Sequence, residues 1–188
     1  MKPDHESLPL LQRLHVRVFA DPEVRAVLDA GFAQLALELE SRPDPPHATC
    51  TVPIELFTGV GQDRITAASE DRVASGRHDR VRLCRLFLLR GGARMAAPER
   101  HCNSVQRLVS YRGSGSIHQG VPGGDPEGLG ARTICSPGAD DCDLARHWDI
   151  VPAGVWHYPE AAGGEGWATV TFHSATEGEI VDELWNEG

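Results

Sequence analysis

The sequence predicts an antiparallel β-barrel preceded by helices, and three observations carry this prediction. Apolar residues recur at helical spacing only over the first forty or so positions. A proline-rich stretch at 41–46 then breaks the pattern. After it come short strand-like runs divided by clusters of Gly, Pro and Asp, a texture typical of an antiparallel sandwich or barrel. We therefore expect one domain over 1–188, with helices within 8–45 and the barrel over about 50–185.

The helical segment is expected over 8–40. Asp21, Pro22 and Glu23 form a helix start, because an aspartate caps the first turn, proline suits the first helical position and a carboxylate favours the N-terminus. Apolar residues follow at helical spacing: Val24, Val27, Leu28, Phe32, Leu35 and Leu39.

The barrel is expected to include strands at 81–89, 106–111, 148–151 and 167–172. The stretch 119–143 holds many Gly, Pro and Asp residues and little apolar content. It is interpreted as a long surface loop or lid between two β-halves, with a disordered insertion as the alternative.

The composition indicates which partners and which cellular compartment to expect. The net charge is −9, from 18 Lys+Arg against 27 Asp+Glu, and no basic stripe interleaved with aromatics points to nucleic acid. The beginning of the sequence lacks the apolar core of a signal peptide, and the apolar run at 86–89 is too short to span a bilayer. We expect a cytoplasmic protein without a membrane partner. Its five cysteines contain no Cys-x-x-Cys pair, which favours reduced thiols.

Two short motifs carry the chemistry. A strand-like run at 147–151 leads into Pro152-x-Gly154-x-x-His157, where proline and glycine turn the chain and could aim the imidazole inward. Glu99 and His101 stand two apart, so a strand would present both on one face. Two histidines and one carboxylate suit a mononuclear metal with open coordination positions. Bound to one ion, the two ring nitrogens would lie within about 4 Å of each other.

These motifs resemble those of the cupin superfamily, most closely the cysteine dioxygenase-like thiol dioxygenases. The first cupin motif is His-x-His, three or four residues, Glu, six residues, Gly, and here it corresponds to Glu99-x-His101, Gln106 and Gly113. The second motif is the Pro-x-Gly-x-x-His segment that ends at His157. The resemblance covers roughly 70–175. It also rests on the helical N-terminal segment, the strand and glycine turn at 86–92, and the stretch 170–173, which is similar to the family's Val-Ser-Leu-His.

The chain departs from the thiol dioxygenases at three positions. Glu99 replaces the first histidine, and Gln106 replaces the usual glutamate, which is a cysteine in some thiol dioxygenases. Ala175 stands where a tyrosine is expected two residues after His173.

The resemblance implies a cupin (jelly-roll) barrel enzyme that binds one divalent metal, Fe(II) first, through Glu99, His101 and His157. The reaction would be an oxygenase-type oxidation of a small polar or amino-acid-derived metabolite. His173 could relay a proton, since imidazole titrates near neutral pH. Gln106 could hydrogen-bond the substrate. Arg72 is at about the distance from the first motif where thiol dioxygenases hold an arginine for a substrate carboxylate, although Arg77 and Arg80 are close by in sequence.

Several alternatives remain open at the level of sequence. The same site with Zn(II) or Mn(II) would suit a lyase or isomerase, with His173 as base. A metal-free cupin that binds a small ligand is the alternative outside enzymes. Glu99 and Arg72 could be surface residues, and the site histidines could be core histidines. His118 or His147 would then be the next ligand candidates. A homodimer paired through edge strands is common among cupins.

Overall fold

The computed structural model describes residues 1–42, 44–60, 80–138, 141, 143–164 and 166–185. Helix α1 spans Leu8–Ala20 and helix α2 spans Pro22–Ser41. Between them Asp21 caps α2, because its side chain accepts hydrogen bonds from the backbone N–H groups of Glu23 and Val24. The predicted helical segment and its start are confirmed. None of the helices in these ranges has the length and apolarity needed to cross a bilayer.

The rest of the described chain folds into two five-stranded antiparallel sheets. The first sheet has the order β1-β2-β9-β4-β7 and the second has the order β10-β3-β8-β5-β6. The strands are β1 His47–Val52, β2 Leu83–Leu89, β3 Glu99–His101, β4 Gln106–Arg112, β5 Ser114–Gln119, β6 Gly130–Cys135, β7 Trp148–Val151, β8 His157–Ala161, β9 Trp167–His173 and β10 Asp182–Leu184. A 3-10 helix, Ile54–Phe57, and a short helix α3, Leu144–His147, complete the described elements. The predicted antiparallel barrel with helices outside it is confirmed.

The two faces of the first sheet have different neighbours. Leu86 and Val170 point outward and join one apolar cluster with Leu28 and Phe32 of α2. Gly31 lets the helix approach, since a Cβ added there would lie 2.5 Å from the Leu86 side chain. Residues between these positions in the strands point the other way, into the barrel. The helices therefore cover one face and leave the opposite face to line the interior.

The prediction for 119–143 was wrong in part. Its second half contains β6, which pairs with β5 from Ser114 opposite Cys135 to Gln119 opposite Gly130. Strand β6 is at the edge of the second sheet, and Ile134 is its one buried residue. An edge strand that buries so little has no apolar alternation, so its composition is that of a loop.

The barrel interior is apolar at one end and polar at the other. At the apolar end the indole of Trp167 packs in a buried cluster and donates a hydrogen bond to the Ser110 hydroxyl (3.0 Å). The other members of this cluster are Leu89, Leu108, Ile117, Ile134, Val151, Val155 and Ala161. At the other end, the ends of β3, β8 and β9 bring polar side chains together.

Candidate metal centre

Two neighbouring strands position the residues of the two sequence motifs. Glu99 on β3 lies directly opposite His157 on β8 in the antiparallel register. The turn before β8 has Gly154 at φ +72°, a conformation that favours glycine. The N–H of Gly154 donates to the carbonyl of His101 (2.8 Å), so the turn of the second motif is fastened to the strand of the first. This contact brings the two motifs to one place despite their separation in sequence.

The structure brings Glu99, His101 and His157 together. One side-chain donor atom from each lies within 4.8 Å of the other two. Glu99 Oε1 is 3.7 Å from His157 Nε2, and the two imidazole rings are 5.1 Å apart between centroids. Side chains at these separations can reach a single ion with small rotations.

Hydrogen bonds orient both imidazoles. The Nδ1 atom of His157 is 3.1 Å from the Val155 carbonyl oxygen, and Nδ1 of His101 is 2.6 Å from Asp182 Oδ1. Because both partners accept, each Nδ1 carries a proton, and in a neutral ring the lone pair then lies on Nε2. Both Nε2 atoms are buried, and neither has a hydrogen-bond partner among the described residues. Buried nitrogens without partners are costly, and a metal ion would use their lone pairs.

Burial also shifts the pKa values of His157 and Glu99. Burial, and then the neighbouring His101, lowers the pKa of His157 to about 3, so this imidazole is neutral at neutral pH. Burial raises the pKa of Glu99 above its ordinary value, and the nearby charges of His101 and Arg85 only partly oppose the rise. A nearby cation would stabilise the ionised carboxylate in such a place. The neutral His157 ring, the Nε2 atom of His101 and the Glu99 carboxylate fit a divalent metal.

A cavity of about 130 Å³ adjoins these three residues. Its far wall belongs to the first sheet and includes Gln106 and His173, which lie opposite each other on β4 and β9. The His173 ring is 4.9 Å from that of His101, and burial lowers the pKa of His173 well below its ordinary value. Gln106 Oε1 and His173 Nδ1 are buried, and neither has a hydrogen-bond partner in the described part of the chain. Both predicted site residues thus face the cavity with polar atoms unused.

The alternative ligands lie elsewhere. His118 pairs with Glu160 (2.8 Å) and stacks on the Tyr158 ring. His147 donates to the Cys135 carbonyl (2.7 Å) and lies 6.3 Å from the ring of His15 on α1. Neither residue lines the cavity.

Three arginines were considered for the substrate carboxylate, and the structure describes one of them. Arg72 and Arg77 lie outside the described residues, and Arg80 is exposed.

Sequence reasoning missed two charged residues that line the cavity, Arg85 and Asp182. Arg85 could have been found, because alternation along β2 places Leu83, Arg85, Phe87 and Leu89 on one face and makes the arginine inward-pointing. Nothing local marks Asp182, which belongs to a strand of three residues, none of them buried.

Comparison with known proteins identifies the fold of the chain. No family model matches the chain, and no curated protein matches it. A structure of salicylate 1,2-dioxygenase from Pseudoaminobacter salicylatoxidans, a mutant in complex with gentisate, is 15% identical, with a TM-score of 0.51 over 85% of this chain and 35% of that one. A second structure of this enzyme is 14% identical, with a TM-score of 0.50 over 83% of this chain and 36% of that one. The chain has a cupin (jelly-roll) fold. It spans about a third of the length of these structures, and at such identity the likeness concerns the fold alone.

Proposed function

We propose that this chain is a metal-dependent cupin oxygenase that uses Fe(II) to oxidise a small polar or amino-acid-derived metabolite. One observation carries the proposal. Two buried imidazole nitrogens without hydrogen-bond partners in the described chain and one half-buried carboxylate converge within 4.8 Å of one another.

The donor set argues for the kind of metal. Imidazole nitrogen and carboxylate oxygen suit iron, zinc and manganese, and two histidines with one carboxylate are the ligands of non-haem Fe(II) oxygenases. Glu99, His101 and His157 would hold the ion. When bound, it would supply redox chemistry towards O₂ and open coordination positions for a substrate. The dioxygenase named in the structural comparison makes oxygenase chemistry the first choice among the metal-dependent reactions.

The remaining cavity residues would bind and orient the substrate. Gln106 offers a side-chain amide that can hydrogen-bond a polar substrate group. His173 is neutral, and its Nδ1 atom, on the cavity side of β9, can accept or hold a proton. Enclosure between the two sheets keeps bulk water from both groups, which strengthens their interactions.

Arg85 is the cation that we propose for an anionic group of the substrate. It lines the cavity on β2, and its contact with Glu177 is long, at 3.5 Å, to a carboxylate that is mostly exposed. Guanidinium pairs well with carboxylates because its N–H groups form a fork. Arg72, expected in this role from the family resemblance, remains a second candidate.

The test is the metal content of the purified chain after loading with Fe(II) without oxygen. We expect about one iron per chain in the wild type, a sharp loss in Glu99→Gln, which removes an anionic donor, and retention in Glu99→His, which supplies a third imidazole. Glu160→Gln is the matched control, since Glu160 pairs with His118 away from the cavity.

The outcome also separates the alternatives. Preference for zinc or manganese over iron would favour a lyase or isomerase at the same ligands. Absence of any bound metal in the folded wild type would overturn the proposal and leave a cupin that binds a small ligand.

A further inference from the structure

The geometry points to Asp182 as a positioning residue for the metal centre. We propose that its carboxylate holds His101 in the one tautomer and orientation that present Nε2 to the ion. This inference rests on the proposed function, because it concerns the same three ligands. It adds a residue from the far end of the chain that the family motifs do not include.

Backbone pairing sets the contact. Strand β10 is the edge strand of the second sheet, and its Asp182 lies directly opposite His101 of β3 in the antiparallel register. Opposed residues of an antiparallel pair point to the same face, with their Cβ atoms a few ångströms apart. The carboxylate therefore reaches the ring edge, with Oδ1 2.6 Å from Nδ1, and both side chains border the cavity.

The contact determines which nitrogen is available. A carboxylate accepts hydrogen bonds, so His101 Nδ1 carries a proton, and the neutral ring then presents the lone pair of Nε2. Nε2 is the atom that is buried without a hydrogen-bond partner in the described chain and that belongs to the ligand cluster. A carboxylate on the remote nitrogen of a ligand histidine fixes the ring and raises its basicity as a metal ligand.

The next residue of β10 serves as an internal comparison. Glu183 points to the other face, where it accepts a hydrogen bond from Nε of Arg100 (2.7 Å). The Arg100 guanidinium lies over the ring of Trp156 at 4.6 Å. Strand β10 thus carries two partly exposed carboxylates. Asp182 contacts the candidate ligand His101, and Glu183 contacts Arg100 at the surface.

The strand does not depend on Asp182 for its docking. The N–H of Cys102 donates to the Val181 carbonyl (2.8 Å), and the N–H of Trp185 donates to the Pro98 carbonyl (2.9 Å). The Asn103 amide also donates to the Glu179 carbonyl (2.7 Å). Backbone and neighbouring side chains hold β10 on β3, so a change at Asp182 alters the support of His101 and leaves the fold in place.

The first experiment measures Zn(II) affinity of the full chain by competition with a chromophoric chelator. We expect Asp182→Ala to lose about 10–100-fold in affinity. Asp182→Asn, whose amide oxygen accepts but carries no charge, should fall between it and the wild type. Asp182→Glu should recover part of the loss, and Glu183→Gln should bind as the wild type does. Thermal unfolding of each metal-free variant monitors folding.

The second experiment needs no metal. Nitrogen NMR of ¹⁵N-histidine-labelled protein should show His101 protonated at Nδ1 in the wild type, and a mixture of tautomers in Asp182→Ala. An unchanged tautomer in Asp182→Ala would overturn the inference even if zinc affinity fell, since the loss would then have another cause. Equal zinc affinity in Asp182→Ala and the wild type would overturn it while leaving the metal centre intact. A wild type that binds neither zinc nor iron would overturn both proposals.

Discussion

The two ends of the barrel interior differ in chemistry although strands β2, β4, β8 and β9 contribute to both. Strand β9 runs from Trp167, buried in the apolar cluster, through Thr169 and Thr171 to His173 beside the metal centre. All four residues occupy one face of the strand, because they alternate with residues that face the helices. Within seven residues, the inward face changes from tight apolar packing to a polar cavity.

The difference shows how the molecule separates stability from chemistry. The apolar end buries large side chains, and its one indole N–H is satisfied by Ser110. The polar end buries imidazole nitrogens and a glutamine oxygen that find no hydrogen-bond partner in the described chain. Such groups lower stability, and proteins keep them where a ligand needs them. The apolar end should therefore contribute most to the free energy of unfolding, and the polar end should determine the binding of metal and substrate.

Among the predictions that test this difference between the two ends, Trp167→Ala should have the largest effect, a loss of unfolding free energy. Removing a fully buried indole deletes its contacts and leaves a cavity, which typically costs about 3–5 kcal/mol. Chemical denaturation would measure the loss. The iron bound per folded chain should stay at the wild-type level, because Trp167 lies at the opposite end from the ligands. Loss of metal from folded Trp167→Ala protein would show that the two ends are coupled.

A smaller effect is expected from Gly115→Ala on β5. A Cβ at this position would lie 2.1 Å from Cε3 of the Trp167 ring, and the packed cluster leaves the indole little room to move. Overpacking of this kind costs about 1–3 kcal/mol. The control is Gly163→Ala, where a Cβ meets nothing within 4 Å. Equal unfolding free energies for the two alanine variants would contradict the close packing around Trp167.

Much of the fold could be predicted because its main elements carry local patterns. Asp21 caps its helix in the predicted way, and β2, β4, β7 and β9 bury enough residues to show in the sequence. The strands that were not predicted bury at most two residues each, and they are β1, β5, β6, β8 and β10.

The candidate site could be predicted only where its residues belong to a motif. The Pro-x-Gly turn indicated His157, and spacing by two indicated that Glu99 and His101 share a face. Asp182 could not be found in this way, because it joins His101 through strand pairing between residues 81 positions apart. Registers between distant strands depend on the packing of the whole sheet, which no short window of sequence contains.

The smallest expected effect, and the one with a characteristic pH dependence, is that of Glu99→Gln on the metal-free protein. Burial raises the pKa of Glu99 in the folded state above its value in the unfolded chain. Between the two pKa values the folded state binds more protons than the unfolded state, so stability falls as the pH rises through this window. Above this window, the metal-free wild type therefore carries the cost of an ionised carboxylate in a largely desolvated site. The neutral amide of Glu99→Gln avoids this cost.

We accordingly expect chelator-treated Glu99→Gln to have a higher melting temperature than chelator-treated wild type at neutral pH. The difference should disappear below about pH 4, where Glu99 is protonated in both states. Glu160→Gln, on the outside of the barrel, should show no such pH-dependent gain, because its carboxylate is partly exposed and pairs with His118. With saturating metal, the wild type should instead have the higher melting temperature. A metal that binds only the folded state stabilises most the protein that binds it most tightly. If the metal-free wild type were instead the more stable at neutral pH, Glu99 would be held by contacts within the protein, and the polar end would not be built to bind a cation.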